Sequence, residues 1–489
     1  MAAKTIMFQG TGSDVGKSLI VAGIGRYLNN QGYRVAPFKP QNMSNNSSVT
    51  LDGGEIGRAQ NLQAMACGIK PSIHMNPILL KPEANHKSQI IVHGQIHSTI
   101  ESQDYLSLKK HLLEPVLESF NQLTSYYDIV LVEGAGSPAE VNLRHNDIAN
   151  MGFALASNVP VILIGDINRG GVIAQMVGTH AVLDHDDQAA IKGFIINKFR
   201  GNPRLFDEGF SLIERLTQWE GLGVIPWHEA TRTLPAEDTL SLSSIPTNPE
   251  AHLNICFLVL DRIANFDDLD PLNLHPDVCV KPLFSGEPIP PDTDLVIVPG
   301  SKSTRNDLEL INNNGWRHDL ISHYRRGRRI LGLCGGYQIL GRVIHDPNGY
   351  EGTPGSIEGL GLLDVETTML ATKKLVNVEA IHADSNHAFY SYEIHLGETK
   401  GPDCARPFAF KIGSGNKDPE GATSADRLVQ GTYLHGLFVD DGFRTNYLQS
   451  FTSDIEEYNY LQSVNSALDE ISNHIQASIN MNRLFEMMR

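Results

Sequence analysis

A chain of 489 residues carries material for about three domains of ordinary size, or two large ones. Its 41% hydrophobic and 19% charged content is globular, which excludes a disordered chain, a coiled coil and a collagen-like fibre. With 39 Lys and Arg against 56 Asp and Glu, the net charge of −17 argues against nucleic-acid and anionic-membrane binding, so any phosphate must meet a local site.

The first half alternates strand-like and helix-like segments. Thr5–Gln9 is a short apolar run that ends in glycines, and Ser18–Asn30 carries a helical apolar face of Leu19, Ile20, Ala22, Gly23 and Tyr27. Further strands are predicted at Tyr33–Phe38, Tyr127–Val132, Val159–Ile164 and Ile191–Ile196. Continuous Val/Ile/Leu runs suit a buried parallel sheet covered by helices. A Ser- and Pro-rich stretch from about Leu240 to His252 reads as a linker. Leu253–Leu260 then opens a second alternating series, with its clearest strands at Leu295–Val298 and Ile330–Leu333. The expected organisation is a domain over 1–245, a second over 253–452, and a polar, helix-like tail over 453–489. No run approaches the ~18 apolar residues of a membrane span. Met1 leads straight into the first strand without a signal peptide. Five scattered cysteines without metal-ligand spacing suit a reducing compartment, so a cytoplasmic protein is expected. Nothing in the sequence sets an oligomeric state.

Gly10-Thr11-Gly12-Ser13-Asp14-Val15-Gly16-Lys17-Ser18 lies between a strand and a helix, the context a phosphate-cradling loop requires. Backbone N–H groups converge there on phosphate oxygens, and the helix start adds partial positive charge. Lys17 is placed to reach the terminal phosphates of ATP and Ser18 to hold Mg²⁺. Position 11 is Thr, a variant that resembles the loop of dethiobiotin synthetase-like ligases. Glu133, at the carboxyl end of its strand, points into the crevice where parallel sheets bind ligands and is the first candidate to complete the Mg²⁺ shell. Glu55 is a second metal candidate. Asp52, and Asp166 at the next strand end, join the substrate-binding candidates. Lys39, closing the second strand, is suited to neutralise a transferring phosphate, and Asn197, closing the fifth, to contact the nucleotide.

Gly332-Leu333-Cys334-Gly335-Gly336-Tyr337-Gln338 runs from a strand into a helix. Such a turn exposes a thiol on a tight elbow, and the helix start favours its thiolate. His435, within Tyr433-Leu434-His435-Gly436, is the expected base. The amides of Gly335 and of Gly300-Ser301, after another strand end, are the expected oxyanion donors. Elbow and His segment together resemble class I glutamine amidotransferases. In many of those a Glu two residues after the His orients it; here that position is Leu437, and the third member is left unassigned.

The two halves have a joint logic. A carboxylate becomes electrophilic as an acyl phosphate, and ammonia, mostly protonated in water, is best released from glutamine next to it. Several long segments sharpen the resemblance: Gln41–Ser47, Gly54–Gln60, His74–Pro82, Glu133–Leu143, Gly165–Val172, Arg262–Phe266 and Pro299–Thr304. With them the chain is similar to the cobyric acid synthase family over nearly its whole length. The fold this implies is α/β, with two doubly wound, mostly parallel-sheet domains: an N-terminal P-loop dethiobiotin synthetase-like domain and a C-terminal class I glutamine amidotransferase-like domain. The implied reaction amidates the b, d, e and g carboxylates of adenosylcobyrinic acid a,c-diamide, a corrinoid, using Mg-ATP and L-glutamine. Arg58, Arg144 and Arg169 are then candidate carboxylate anchors, since a guanidinium fork fits a carboxylate. Two alternatives are a cobyrinic acid a,c-diamide synthase and a ParA-like nucleotide switch with a non-catalytic glutaminase-like domain. The Gln41–Met43 and Gly54–Gln60 segments favour the family first named, and the Cys334/His435 pair argues against a degenerate domain.

Overall fold

The five apolar runs expected in the first half, joined by a sixth strand, form one parallel sheet. Its order is Glu220–Pro226, Ile191–Phe199, Val161–Asp166, Lys4–Gly10, Ile129–Glu133, Val35–Phe38. The computed structural model describes residues 3–82, 87–235, 242, 245, 248–413 and 417–489. Much of the expected linker at about 240–252 therefore lies outside the described residues. Strand Lys4–Gly10 has a neighbour on each side, Met7–Gly10 pairing with Val161–Ile164 and Lys4–Phe8 with Ile129–Glu133, which delivers the glycine loop to the middle of the sheet's carboxyl edge. Both faces are covered, and Met7, Phe38, Val130, Val132, Leu163 and Phe194 are fully buried in one cluster. The sixth strand has no counterpart in the sequence prediction, because Gly221 and Gly223 interrupt its apolar run. A smaller sheet of Gln41–Met43, Ile78–Pro82, Lys87–Val92 and Gln95–Glu101 is also unforeseen; its strands are short or carry polar residues at alternate positions.

The chain divides into two compact units. The first comprises Met1–Ser44, Thr50–Pro235 and Gln462–Arg489; the second comprises Asn45–Val49 and Ala236–Leu461. Most of the C-terminal tail thus packs within the first unit. Helix Tyr460–Ser478 lays Ile471 and Ile475 against Gly23 of helix Lys17–Asn30, so closely that a Cβ at Gly23 would lie 2.5 Å from Ile475 Cδ1. Asp469 takes a two-pronged ion pair from Arg26, at 2.7 and 3.0 Å. At the chain's end, the Thr5 amide donates to the Arg489 carbonyl at 2.6 Å.

In the second unit, Val278–Leu283, Leu253–Leu258, Leu295–Val298, Arg329–Leu333 and Val429–Thr432 pair in that order as a parallel sheet, with the short antiparallel strand Ala422–Thr423 at the edge. Its core gathers Ile297, Leu331, Trp316 and Tyr337. A separate antiparallel sheet is built on the hairpin Lys374–His382 and Ala388–His395, and the short strand Leu434–His435 joins it with Tyr392 opposite His435. Among the described residues, no helix is long and apolar enough to cross a membrane.

Candidate active sites

In the first unit, the loop after Lys4–Gly10 turns at Gly16, whose φ of +95° suits glycine. A Cβ there would also sit 2.3 Å from Asn197 Nδ2. Asn197 itself donates to the Val15 carbonyl at 2.8 Å, so this predicted ATP residue braces the loop from the end of Ile191–Phe199, two places along the sheet. Thr11 donates to Gln175 Oε1 at 2.9 Å, while Ser13 and Asp14 form the exposed tip. Lys17 is buried and folds back on the carbonyls of Gly12 and Gly136, at 2.9 and 3.3 Å.

Glu133 is the hub of this site. Its Oε1 accepts from Ser18 Oγ and from Lys39 Nζ, both at 2.8 Å, and its Oε2 accepts from Gln63 Nε2 at 2.6 Å. Glu133 and Lys39 are nearly inaccessible to solvent, so the ion pair stands in a low-dielectric setting. The structure thus brings together Lys17, Ser18, Lys39 and Glu133, and adds Gln63, which sequence reasoning missed. Glu55, the other metal candidate, pairs with Lys81 at 2.7 Å, also buried. Asp166 accepts from Lys198 Nζ at 3.0 Å and lies 3.9 Å from Arg169 Nε; Arg169 also reaches Asp14 at 3.2 Å.

The remaining substrate candidates are spread out. Asp52 is exposed and accepts from Ser72 Oγ and the Ile73 amide. Arg58 opens the helix Arg58–Ala66. Arg144 makes a bidentate pair with the buried Asp187, at 2.7 and 2.9 Å, which satisfies its guanidinium within the protein. Its sequence context gave no sign of that partner.

In the second unit, Cys334 ends strand Arg329–Leu333 with φ +51° and ψ −107°, a strained conformation that aims the side chain out of a sharp strand-to-helix turn. The turn closes because Gly336 meets the next strand edge-on: a Cβ there would lie 1.9 Å from the Val298 carbonyl oxygen. The Cys334 thiol donates to the Ile394 carbonyl at 3.5 Å. Cys334 and His435 converge at Gly300, where an added Cβ would lie 3.4 Å from His435 Cε1 and 3.7 Å from Cys334 Cβ. A Cβ on Gly335 would approach the Ser301 amide nitrogen to 2.9 Å, so the predicted oxyanion residues Gly300, Ser301 and Gly335 adjoin the thiol. Gly300 and Lys302 supply the hydrogen bonds to the facing segment Arg262–Ala264, which leaves the Ser301 amide off that ladder. The Ser301 hydroxyl donates to Asp307 at 2.5 Å; burial pushes the Asp307 carboxyl up to about 6 against that hydrogen bond.

His435 is itself fully held. Asp268 Oδ2 accepts from Nδ1 at 2.6 Å, Ser391 Oγ donates to its carbonyl at 2.8 Å, and Tyr392 stacks on the ring with centroids 5.4 Å apart. Burial disfavours the imidazolium, but the Asp268 carboxylate and the Cys334 sulfur outweigh it and hold the His435 pKa well above its ordinary value. With Nδ1 taken, Nε2 is the nitrogen left to exchange a proton with the thiol. Asp268 and Tyr392 were not predicted: the fold supplies these contacts, and no spacing rule links a residue 167 positions upstream to His435.

Comparison with known proteins agrees with both halves. Residues 6–242 match the CobQ/CobB/MinD/ParA nucleotide binding domain family, and residues 254–443 the CobB/CobQ-like glutamine amidotransferase domain family. The chain is 55% identical to a cobyric acid synthase of Cereibacter sphaeroides over 99% of each chain. It is likewise 55% identical to one from Bradyrhizobium diazoefficiens over 100% of each, and 54% to one from a Jannaschia species over 99% of each.

Proposed function

This chain belongs to the cobyric acid synthase family, and from that premise we propose that it amidates the b, d, e and g carboxylates of adenosylcobyrinic acid a,c-diamide, spending ATP and glutamine. The second unit is the glutaminase. Cys334 Sγ, its proton passed to His435 Nε2, attacks the side-chain amide carbon of glutamine. The amides of Gly335 and Ser301 stabilise the oxyanion. The leaving nitrogen takes the proton from His435 and departs as ammonia; water then hydrolyses the thioester to glutamate.

The first unit is the ligase. Phosphates of ATP take over the Lys17 ammonium from the neutral carbonyls of Gly12 and Gly136, and Lys39 faces the transferring phosphoryl group. The substrate carboxylate attacks the terminal phosphorus, the bond to the bridging oxygen breaks, ADP leaves and an acyl phosphate forms. Ammonia then displaces inorganic phosphate to leave the amide. The pairing of a hydroxyl and a carboxylate, Ser18 and Glu133, at the start of the loop helix is the hard oxygen donor set that Mg²⁺ prefers. When bound there with phosphate oxygens, the ion would draw charge from the terminal phosphate. Arg58, Arg169, Asp52 and Asp166 remain our candidates for corrinoid contacts. Five free thiols support a reducing, cytoplasmic setting.

The single observation that carries this reading is the presence, on one chain, of a nucleophile elbow converging on a buried histidine and a phosphate loop whose serine meets a strand-end carboxylate. Mass spectrometry of the corrinoid during incubation with Mg-ATP and glutamine tests it. Four successive replacements of OH by NH₂ are expected. An unchanged corrinoid alongside glutamine hydrolysis would reject the substrate and turn attention to cobyrinic acid.

A further inference from the structure

Two residues after His435, where a glutamate orients the base in many glutaminases of this type, stands Leu437, fully buried in the apolar core. We propose that Asp268 is the positioning residue for His435, and that the segment Arg262–Leu269 is a clasp setting the base and the oxyanion strand together. The proposal rests on the reading of Cys334 and His435 as nucleophile and base.

Both oxygens of Asp268 are spent on this one partner. Oδ2 accepts from His435 Nδ1 and Oδ1 from the Gly436 amide, each at 2.6 Å. The carboxylate therefore fixes the ring and the backbone that carries it. Other carboxylates nearby are committed elsewhere. Glu420 accepts from the Thr432 hydroxyl and the Tyr433 amide, and Glu393 pairs with Lys374 and Lys411.

The turn that carries Asp268 has further holds on the site. Asn265, left-handed at φ +54°, donates from Nδ2 to the hydroxyl of Tyr392, the residue stacked on the imidazole, at 3.3 Å. The Ala264 amide donates to the Gly300 carbonyl and the Lys302 amide to the Arg262 carbonyl, each at 2.9 Å. One segment thus grips the histidine, its stacking partner and the strand end that carries the Ser301 amide.

A purely structural acceptor here would need no charge. Asp268 is 2% exposed, and burying a carboxylate is costly unless a cation compensates it. The compensating cation is the imidazolium that forms when the thiol hands over its proton. That is the role of the carboxylate in nucleophile–base–acid triads, where it sets the tautomer and stabilises the charged ring.

The test is Asp268→Asn in the full chain, which keeps the size and removes the charge. Its main readout is the pH dependence of Cys334 alkylation by iodoacetamide, with loss of label in Cys334→Ala identifying the thiol. The groups facing His435 are Asp268 from the turn, Cys334 from the elbow, and Tyr392 and His395 from strand Ala388–His395. Burial pushes His395 down to about 4, so it stays neutral across the range. Without the Asp268 charge the imidazolium loses its support, so the alkylation midpoint should move to higher pH. Glutamine turnover should fall on the order of 10³- to 10⁴-fold with little change in KM, as carboxylate-to-amide changes in triads do. Asp268→Glu should recover part of it. An unshifted alkylation profile with turnover within about threefold of the parent would overturn the proposal. Should Asp268→Asn not fold, ¹⁵N-histidine NMR of the unaltered chain decides. Nδ1 should keep its proton while Nε2 titrates; Nδ1 deprotonating first would overturn the proposal. The alkylation and NMR readouts involve neither ATP nor a corrinoid, so they stand or fall separately from the amidation reading.

Discussion

In the first unit the reactive charges hold one another. Lys39 sits on Glu133, Lys81 on Glu55 and Lys198 on Asp166, and Lys17 rests on loop carbonyls. In the second unit the reactive groups are held by fixed local geometry: a strained Cys334, a glycine pressed against the Val298 carbonyl, and a histidine clamped on its ring by Asp268 and on both the C=O and the N–H of the peptide that follows it. The difference follows from the chemistry each performs. A site for a polyanion and a carboxylate changes its charge when they arrive, so its cations need partners that ligands replace. A thioester-forming site handles a small neutral amide, and its power lies in geometry fixed beforehand.

The largest expected effect tests the separation of the two. Cys334→Ala should lower glutamine-supported amidation by at least about 10⁴-fold, the scale of nucleophile loss. Ammonium salts should restore amidation, because the ligase residues lie in the other unit. Rates are followed by phosphate release with each nitrogen donor. Failure of ammonia to restore the reaction would show that the elbow does more than supply nitrogen, and the comparison would break there.

Glu133→Gln attacks the other style of construction. It removes the anion on which Ser18, Lys39 and Gln63 converge and breaks the buried Lys39–Glu133 ion pair. Breaking a buried pair on one side costs about 3–5 kcal/mol, so chemical unfolding should show the first unit weakened. ATP affinity should also lose much of its dependence on Mg²⁺, read by calorimetry at several Mg²⁺ concentrations. An intact Mg²⁺ dependence would move the metal away from Glu133.

Sequence legibility divides along the same line. Apolar runs made the parallel strands readable, because a strand buried on both faces must be apolar throughout. The loop Gly10–Ser18 and the elbow around Cys334 were readable because their chemistry needs consecutive residues. Side chains meeting from distant segments were not. Asp268 reaches His435, Gln63 reaches Glu133, and Asp187 answers Arg144, each across a sequence gap that only the fold closes. The tail illustrates the same point. Its helical pattern was legible, but Ile471 and Ile475 carry no mark of the Gly23 notch they fill.

A smaller effect sharpens the contrast by titration. Burial is the largest influence on Glu420 and raises its carboxyl from 4.5 to about 7, against hydrogen bonds from Thr432 and the Tyr433 amide. Burial likewise raises Glu351 to about 7 and Asp307 to about 6. Between about pH 4.5 and 7 the folded chain therefore keeps a proton on Glu420 that the unfolded chain has released. Binding more protons in the folded state means that stability falls as pH rises through this window. Glu420→Gln removes that term while its amide oxygen can still accept from Tyr433. The variant should match the parent near pH 4.5 and exceed it by about 1–3 kcal/mol at pH 8, one pKa unit being worth about 1.4 kcal/mol. Asp307 and Glu351 act with the same sign, so the variant should flatten only part of the pH profile. Urea unfolding followed through buried Trp316, in a chain with Trp219 and Trp227 replaced by Phe, isolates this unit. Burial pushes His323, His382 and His395 down to about 4, which acts with the opposite sign between about pH 4.5 and 6.5, so the variant is read against the parent at each pH. A variant that gained nothing on the parent between about pH 4.5 and 8 would mean that Glu420 is charged in the fold. Glu420 would then need a cation, as Glu133 and Glu55 have in the first unit, and the contrast between the two constructions would close.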